Sequence, residues 1–463
     1  MSTLIRAFLV VALLGAAACV AAQEPRTGPA VAIHDLTGAH TRVVWVQHDG
    51  TDVFAAGRQL VLMGLDTDDG RGERVILGER GSYVKPHLTP RGDRIVFSTH
   101  PELGDPAVHV INFDGTGLRQ LEPGFALDVW EDPADGGAWV YIGTGHDGYT
   151  VRTITRVRLD DPSRREAVWT AAPVTIDTFQ VSPDGRAAGA NFPWPRAGVA
   201  DLAAGTWREL GDGCWTGFHD VGTPLFWIFD GAHRNLLLID TARDDRRWTV
   251  PINTAPGFTN PEVYHPRWTA HPRFMTMTGP YDQGGANQVR SGGAQSEVWI
   301  GRFSADYTAI EAWARVTANA AGDSYPDVWI DRSASPHLQR ASGRVGPAAG
   351  VAAIDADRLV VEARLVTAGD VPTPESIAPY RNALVVHVYE ILNVVEGAHE
   401  GRQIIVAQWA IRDAQVLPTA VKRPGETVRL TLERYAAHPE LEGERVIQAP
   451  DVPDLPLYYE VGS

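Results

Sequence analysis

Residues 262–281 read EVYHPRWTAHPRFMTMTGPY and place several reactive side-chain types close together. Two histidines, two arginines, two tyrosines and a tryptophan surround a short apolar run. Imidazole groups transfer protons and bind metal ions, and guanidinium groups bind anions. The segment is therefore either part of an active site or the edge of a strand in a repeated fold. The strands and turns predicted around this segment decide whether it is part of an active site or only the edge of a strand.

Several catalytic motifs are absent from the sequence. It contains no GxSxG nucleophile elbow, no HExxH zinc helix and no CxxCH haem attachment motif. Asp66, Asp68 and Asp69 precede Gly70 and suggest a calcium loop. The glycine comes one place too early for an EF-type loop and the distant glutamate is missing, which favours a solvated hairpin turn.

The first residues, MSTLIRAFLVVALLGAAACVAAQEP, have the layout of a secretory signal: an early arginine, a short apolar run and then small residues. We expect a signal peptide over 1–22, with cleavage after Ala22. The run LLGAAAC also resembles a bacterial lipoprotein box, which would make Cys19 the lipid anchor. Both alternatives predict an exported protein that is periplasmic, outer-membrane-anchored or extracellular. No later stretch is apolar enough to span a membrane.

Cysteine content and charge limit the possible classes of protein. Only two cysteines are present, and loss or lipidation of Cys19 leaves Cys214 without an intrachain partner, so disulfides do not stabilise the fold. The formal net charge of -16 argues against nonspecific nucleic-acid binding, which depends on cationic residues. Fourteen tryptophans, twelve tyrosines and 46 glycines indicate a β-rich fold with many tight turns.

Internal repeats indicate the architecture. Residues 84–121, VKPHLTPRGDRIVFSTHPELGDPAVHVINFDGTGLRQL, contain four strand-like runs, with Pro-Arg-Gly-Asp as the turn after the first. The turn recurs as Ser-Pro-Asp-Gly at 182–185. This unit resembles the TolB-type, WD-repeat-like propeller repeat of exported bacterial proteins, in which a Ser-Pro-Asp-Gly turn joins the first two strands. The resemblance implies blades of four antiparallel strands.

The repeat predicts a six-bladed β-propeller over 30–331. Further units with this layout run over 127–169, 176–210, 215–252 and 262–317, at a spacing of about 40 to 45 residues. Three strands between Thr41 and Gly78 lack a first strand, and SYPDVWI at 324–330 is a first strand with nothing after it. Joining both ends of the chain completes a sixth blade and leaves no long exposed edge. A seven-bladed ring is the rival interpretation.

A second, smaller domain follows the propeller. Residues 332–352 are small and polar, as in a linker. Strand-like runs with alternating apolar and polar residues return over 353–463 and predict a small antiparallel β-barrel or β-sandwich. This domain has a slight resemblance to an OB-like barrel. The expected fold class is thus all-β throughout.

The propeller arrangement places the first strands of the blades around a central channel, with their starting ends at one mouth, where ligands commonly bind. With Pro86, Pro266 and Pro326 in register, His265 corresponds to Lys85 and Tyr325, and Arg267 corresponds to His87 and Asp327. Asp128, Asp177 and His219 occupy comparable places in the other blades. These polar residues, together with Tyr264, predict either a binding site or a solvated channel lining.

A second resemblance offers an enzymatic alternative. The sequence His265-Pro-Arg-Trp is similar to a ligand motif of oligogalacturonate lyases, propellers that hold a metal ion with histidines. The resemblance implies His87, His219 and His265 as ligands of Mn²⁺, Ca²⁺ or a similar divalent ion. Arg267 would neutralise a uronate carboxylate, and Lys85 or Tyr264 would act as the base.

Two loops are further candidates for binding. The glycine-rich loop from Asp282 to Ser296 is either a lid or a tolerated insertion. In the segment from Asp230 to Leu236, Asp-Gly predicts a tight turn, with His233 and Arg234 as exposed residues. By contrast, His271 and Arg273 are expected in the turn between two strands, which leaves Tyr264, His265 and Arg267 as the functional part of the opening segment.

The sequence therefore favours an exported cell-envelope scaffold that binds a protein or an acidic polysaccharide. Ligands are expected at the channel mouth or the glycine-rich loop. A metal-assisted polysaccharide lyase acting on uronate-containing glycans is the alternative.

Overall fold

The computed structural model describes residues 28–463 except 53, 54, 56, 58, 100–104, 244, 282–295, 332–344, 348–357, 378, 379, 400, 439, 440, 442, 443, 448–454, 456, 462 and 463. The expected export signal and nearly all of the expected linker lie outside the described residues. Within them, no helix is long and apolar enough to cross a membrane.

Six four-stranded antiparallel sheets form the blades of a propeller, as the repeat predicts, and the seven-bladed interpretation is wrong. From first to fourth strand, blade 1 contains β26 (Gly322–Ile330), β1 (Thr41–His48), β2 (Leu60–Asp66) and β3 (Arg74–Gly81). Blade 2 contains β4 (Tyr83–Leu88), β5 (Arg94–Thr99), β6 (Ala107–Asn112) and β7 (Arg119–Pro123). Blade 3 contains β8 (Phe125–Glu131), β9 (Ala138–Thr144), β11 (Thr153–Arg158) and β12 (Asp161–Trp169).

The other three blades repeat this order. Blade 4 contains β14 (Gln180–Val181), β15 (Ala187–Asn191), β16 (Arg196–Asp201) and β17 (Thr206–Asp212). Blade 5 contains β18 (Thr216–Asp220), β19 (Pro224–Phe229), β20 (Asn235–Asp240) and β21 (Arg246–Pro251). Blade 6 contains β22 (Glu262–Trp268), β23 (Phe274–Tyr281), β24 (Glu297–Phe303) and β25 (Ile310–Arg315). A short pair, β10 (Thr150–Val151) and β13 (Val174–Thr175), joins blades 3 and 4.

Pairing of β26 with β1 closes the ring with one C-terminal and three N-terminal strands. Asp323 is fully buried at this junction. Its carboxylate accepts hydrogen bonds from the indole of Trp45 at 2.8 Å and the amide of Gln47 at 2.9 Å. The side chain of Asn319 donates a third bond, also at 2.9 Å. One carboxylate therefore joins residues from the two ends of the propeller sequence.

A short helix not predicted by the sequence pattern precedes blade 1. It is α1 (Pro29–Thr37), and its nine residues are too few for a clear helical period. Proline near the start of a helix is favourable because the missing N–H needs no partner there. The buried side chains of Ile33 and Leu36 pack in a cluster with strands of blades 1 and 6. The helix therefore adds an apolar seal beside the closing junction.

The C-terminal region forms a closed five-stranded barrel, the first of the two expected alternatives. Its strands are β27 (Leu359–Thr367), β28 (Ala383–Glu396), β29 (Gln403–Arg412), β31 (Thr427–Arg434) and β33 (Leu457–Glu460), with β30 (Gln415–Val416) and β32 (Arg445–Ile447) at its edges. Around the barrel the order is β27, β28, β29, β33, β31, and only the β29–β33 pair within this ring is parallel.

We expect Asp323→Ala to lower the free energy of unfolding by roughly 3 kcal/mol, because it leaves buried donors of Trp45 and Gln47 without an acceptor. Urea denaturation followed by tryptophan fluorescence measures this change. Glu396→Ala, at an exposed side chain of the barrel, is the control and should change stability by less than about 0.5 kcal/mol. Equal stabilities for the two variants would contradict the closing role of Asp323.

Candidate functional site

In three first strands, the residue at the equivalent position near the starting end has a strained backbone conformation. Lys85, His265 and Tyr325 each precede a proline and adopt positive φ angles of 41°, 49° and 50°. Non-glycine residues pay a conformational cost in this region, and such strain often marks functional sites. The pairing of these strands with their neighbours is irregular at the same place. All three residues line one small cavity in the channel, with a volume of about 30 Å³.

Aromatic rings fill the starting end of the channel. The ring of His265 lies 4.2 Å from that of Tyr325 and 4.9 Å from that of Trp215, measured between centroids. Tyr264 packs on Trp215 at 5.0 Å and does not line the cavity. Burial raises the pKa of Tyr264 well above its usual value, which makes it a poor base. Trp215 is a residue that the sequence reasoning missed, because it precedes β18 and belongs to no motif.

Arg267 forms the centre of the next layer of the channel. Its guanidinium donates to the Pro86 carbonyl at 2.9 Å, contacts the Nδ1 atom of His87, and lies 3.5 Å from the carboxylate of Asp327. The alignment of the three prolines placed His87, Arg267 and Asp327 at equivalent positions, and these three side chains lie together in the structure. Arg267 is, however, already engaged by three partners, so its charge is not free for a ligand carboxylate.

Two carboxylates in this layer also hold backbone groups of neighbouring strands. Asp327 accepts from the Leu88 N–H at 2.6 Å, and Asp128 accepts from the Val181 N–H at 2.8 Å. Burial raises the pKa of Asp128 to about 6, so this carboxyl is partly protonated below neutral pH. These contacts connect blade 1 to blade 2 and blade 3 to blade 4. The two residues therefore have a structural task besides any role with a ligand.

The structure does not assemble the expected three-histidine metal site. His219 contacts the backbone carbonyls of Asp220 and Ala270, and His265 pairs through Nδ1 with the Thr278 hydroxyl at 3.1 Å. His87 is occupied by Arg267. Within the described part of the chain, no group of three or more histidine, cysteine, aspartate or glutamate side chains is placed to hold a metal ion. Each imidazole thus has a partner for at least one ring nitrogen, whereas the Nε2 atoms of His87 and His265 have none among the described residues.

A second cavity opens at the other end of the channel and has a volume of about 630 Å³. Residues just after the first strands line it, among them Thr89, Thr269 and Asp331. We call it the wide cavity. The larger of these two cavities therefore lies where the first strands end, and the small cavity lies near the starting ends, where the sequence suggested a ligand site. From the predicted set, His87, Asp128, His219, Arg267 and Asp327 line it, whereas Lys85, Asp128, Asp177, His265, Arg267 and Tyr325 line the small cavity.

The C-terminal barrel packs on the face where the first strands begin. Arg445 of β32 is buried and donates to the Gly231 carbonyl at 2.9 Å, contacts His233 at 3.0 Å and lies 3.5 Å from Glu262. Tyr380 packs against Trp194 in the turn between β15 and β16. Because antiparallel strands alternate in direction, these turns lie at the starting ends of the first strands. The barrel therefore occupies the face that the sequence suggested for ligands.

The two loop predictions have different outcomes. The Asp-Gly segment is a turn between β19 and β20, as expected, but His233 is buried under the barrel and not exposed. Burial together with the nearby Arg445 guanidinium lowers the pKa of His233 to about 4, which keeps the imidazole neutral. The glycine-rich loop lies outside the described residues, apart from Ser296.

No protein-family model and no curated protein matches this chain. Among solved structures, it is similar to TolB from Acinetobacter baumannii, at 14% identity and a TM-score of 0.43 over 64% of this chain and 69% of TolB. It is also similar to the dihydro-heme d1 dehydrogenase NirN, at 12% identity and a TM-score of 0.33 over 58% of this chain and 57% of NirN. Hydrazine synthase from Kuenenia stuttgartiensis matches at 13% identity and a TM-score of 0.34 over 55% of this chain and 77% of that one.

We expect Arg267→Ala to lower the free energy of unfolding by roughly 3 kcal/mol, because it leaves the Asp327 carboxylate buried without its cation. Adding Asp327→Asn removes that charge and keeps an acceptor for the Leu88 N–H. The double variant should therefore be at least about 1 kcal/mol more stable than the single variant. Chemical denaturation of both proteins measures the difference. If Arg267→Ala were as stable as the parent protein, the guanidinium would be free for a ligand.

Proposed function

We propose that this chain is an exported cell-envelope binding protein whose wide cavity receives a cationic segment of a protein partner. The observation that carries the proposal is the excess of carboxylates around that cavity. The volume of about 630 Å³ is within the range of ligand-binding clefts. The secretory layout of the first residues supports export, and the absence of hydrolase and metalloprotease motifs supports a binding role.

The charges of the wide cavity favour a cation. Its lining includes one guanidinium, that of Arg267, and five carboxylates: Asp128, Glu131, Asp132, Asp327 and Asp331. The guanidinium is engaged by Asp327 and by neutral His87, whose pKa is held well below its usual value by burial and by the Arg267 charge. Glu131 is exposed and Asp132 is half-buried, so both can meet a ligand. A cavity lined by one sign of charge attracts ligands of the opposite sign.

Tryptophans give the same cavity apolar walls. Trp130, Trp268 and Trp329 all line it. The indole N–H of Trp329 donates to the Pro90 carbonyl at 2.7 Å, and that of Trp130 donates to the Pro183 carbonyl at 3.0 Å. These bonds hold the rings in place, and guanidinium groups of the chain already lie over two of them: Arg156 is 5.4 Å from the Trp130 ring centroid and Arg42 is 5.9 Å from that of Trp329. Indole faces attract ammonium and guanidinium groups and cover the aliphatic stems of lysine and arginine.

The same features oppose the acidic-polysaccharide and lyase alternatives. A uronate chain would meet the carboxylates of the wide cavity, and like charges repel. The guanidinium of Arg267, which was expected to neutralise the uronate carboxylate, already forms an ion pair with Asp327. Lys85, one of the expected bases, faces a space of about 30 Å³, which does not admit a sugar ring. For these reasons we propose a binding protein and no glycan-cleaving activity.

The charge proposal predicts a specific effect of Glu131→Gln combined with Asp132→Asn. For a fluorescein-labelled octalysine peptide at low ionic strength, we expect the Kd to rise about fivefold, since two surface charge interactions together contribute about 1 kcal/mol. Fluorescence anisotropy measures the Kd. A matched control, Glu396→Gln with Asp413→Asn, removes two exposed carboxylates of the barrel and should change the Kd by less than about twofold.

The same assay separates the alternatives. Equal weakening by both double variants would mean that the peptide responds only to net charge, and the wide cavity would lose its role. Tighter binding of labelled oligogalacturonate than of octalysine to the parent protein would overturn the choice of a cationic partner. A rise in ultraviolet absorbance on incubation with polygalacturonate would restore the lyase alternative.

A further inference from the structure

Lysine is almost absent from this protein. Of the 41 lysine and arginine residues, only Lys85 and Lys422 are lysines. Arginine stays protonated at all pH values that proteins encounter, whereas the pKa of a buried lysine shifts readily. A lysine in the channel of a chain that otherwise uses arginine supplies what arginine cannot, a neutral primary amine.

The surroundings of Lys85 do not hold its amine as a structural cation. The residue is 8% exposed, and its Nζ atom donates one hydrogen bond, to the Leu127 carbonyl at 3.3 Å. Among the described residues, no carboxylate lies within 4.0 Å of Nζ as an ion-pair partner. Buried charges are ordinarily paired, because desolvation of an isolated charge is costly. Three nearby carboxylates, those of Asp177, Asp128 and Asp327, favour the ammonium form without a close ion pair, and burial outweighs them and lowers the pKa of Lys85.

The space next to Lys85 is polar and shares part of its lining with the wide cavity. Asp177 and His265 line the small cavity, and within the described structure neither the Asp177 Oδ1 atom nor the His265 Nε2 atom has a hydrogen-bond partner. Both cavities share Asp128, Gln180 and Arg267 as lining residues. A volume of about 30 Å³ holds one or two water molecules, or a group of similar size such as a carbonyl.

We propose that Lys85 is a nucleophilic amine that forms an imine with an aldehyde or ketone group reaching it from the wide cavity. The Nζ lone pair attacks the carbonyl carbon, and the carbonyl oxygen takes up a proton to give a carbinolamine. Loss of the nitrogen proton and of the hydroxyl group as water then leaves a carbon–nitrogen double bond. One amine and one carbonyl compound yield one imine and one water, and no electrons are gained or lost.

The neighbouring ionisable groups have the protonation states that this reaction needs. Burial lowers the pKa of Lys85 to about 8, so that an appreciable fraction of the amine is neutral near neutral pH. Burial raises the pKa of Asp128 to about 6 and raises that of Asp177 as well. The protonated fraction of either carboxyl group can donate a proton to the departing hydroxyl. The unpaired Asp177 oxygen is thus a proton donor or acceptor within the same cavity.

Reductive trapping with acetaldehyde and sodium cyanoborohydride tests the proposal on the parent protein. Nα-acetyl-lysine in the same solution serves as the reference amine, with an ordinary pKa of about 10.4. At pH 7 we expect Lys85 to be ethylated at least about tenfold faster than the reference, because far more of its amine is neutral. Peptide mass spectrometry follows Lys85 and Lys422 separately and excludes the chain's α-amino group.

Two comparisons make the outcome decisive. The rate at Lys85 should level off above about pH 8, while that of the reference continues to rise, and guanidinium chloride should abolish the difference. Lys85→Arg leaves Lys422 as the one lysine and should remove the fast reaction, whereas Lys422→Arg should retain it. Ethylation of Lys85 in the folded protein at or below the reference rate would overturn the proposal. Because acetaldehyde is neutral and small, this result does not depend on binding of a cationic partner.

Discussion

Closure of the propeller ring is the constraint on which the rest of this structure depends. The pairing of β26 with β1 joins residues more than 270 positions apart and is held by the buried Asp323 carboxylate with Trp45 and Gln47. Only a closed ring directs all six first strands along one channel. Closure therefore brings Arg267 of blade 6 onto Pro86 and His87 of blade 2 and beside Asp327 of blade 1. Without ring closure, these residues of blades 1, 2 and 6 would not be brought into contact.

Contacts between blades position the wide cavity. The turn after the first strand of blade 2 places Gly92 at a φ of 67°, and an added Cβ there would lie 2.5 Å from the Trp329 ring of blade 1. Gly185 repeats this arrangement under Trp130 of blade 3, at 2.6 Å. The recurring turn glycine thus serves two purposes, a left-handed backbone and close packing of a neighbouring tryptophan. The same tryptophans then form the walls of the cavity.

The two ends of the channel differ in shape and in charge. At the starting ends of the first strands, aromatic rings fill the channel and the C-terminal barrel is attached through Arg445. At the other end lies the wide cavity, whose lining includes five carboxylates. Along the channel from this end, the rim carboxylates and tryptophans come first, then the Arg267 layer, and then the small cavity that Lys85 lines. Selectivity for charge and reactivity toward a carbonyl can thus occupy successive layers of one channel.

The sequence by itself determined the blade count, the closure by strands from both ends, and the register that aligns Lys85, His265 and Tyr325. These follow from local signals, since turn residues and two-residue alternation depend only on near neighbours in the chain. Only the tertiary structure showed that Arg267 pairs with Asp327, that the three histidines are not grouped as metal ligands within the described residues, and that the wide cavity lies where the first strands end. Each of these depends on side chains from different blades or from the barrel, and no sequence pattern records how such distant residues share charge, hydrogen bonds and space.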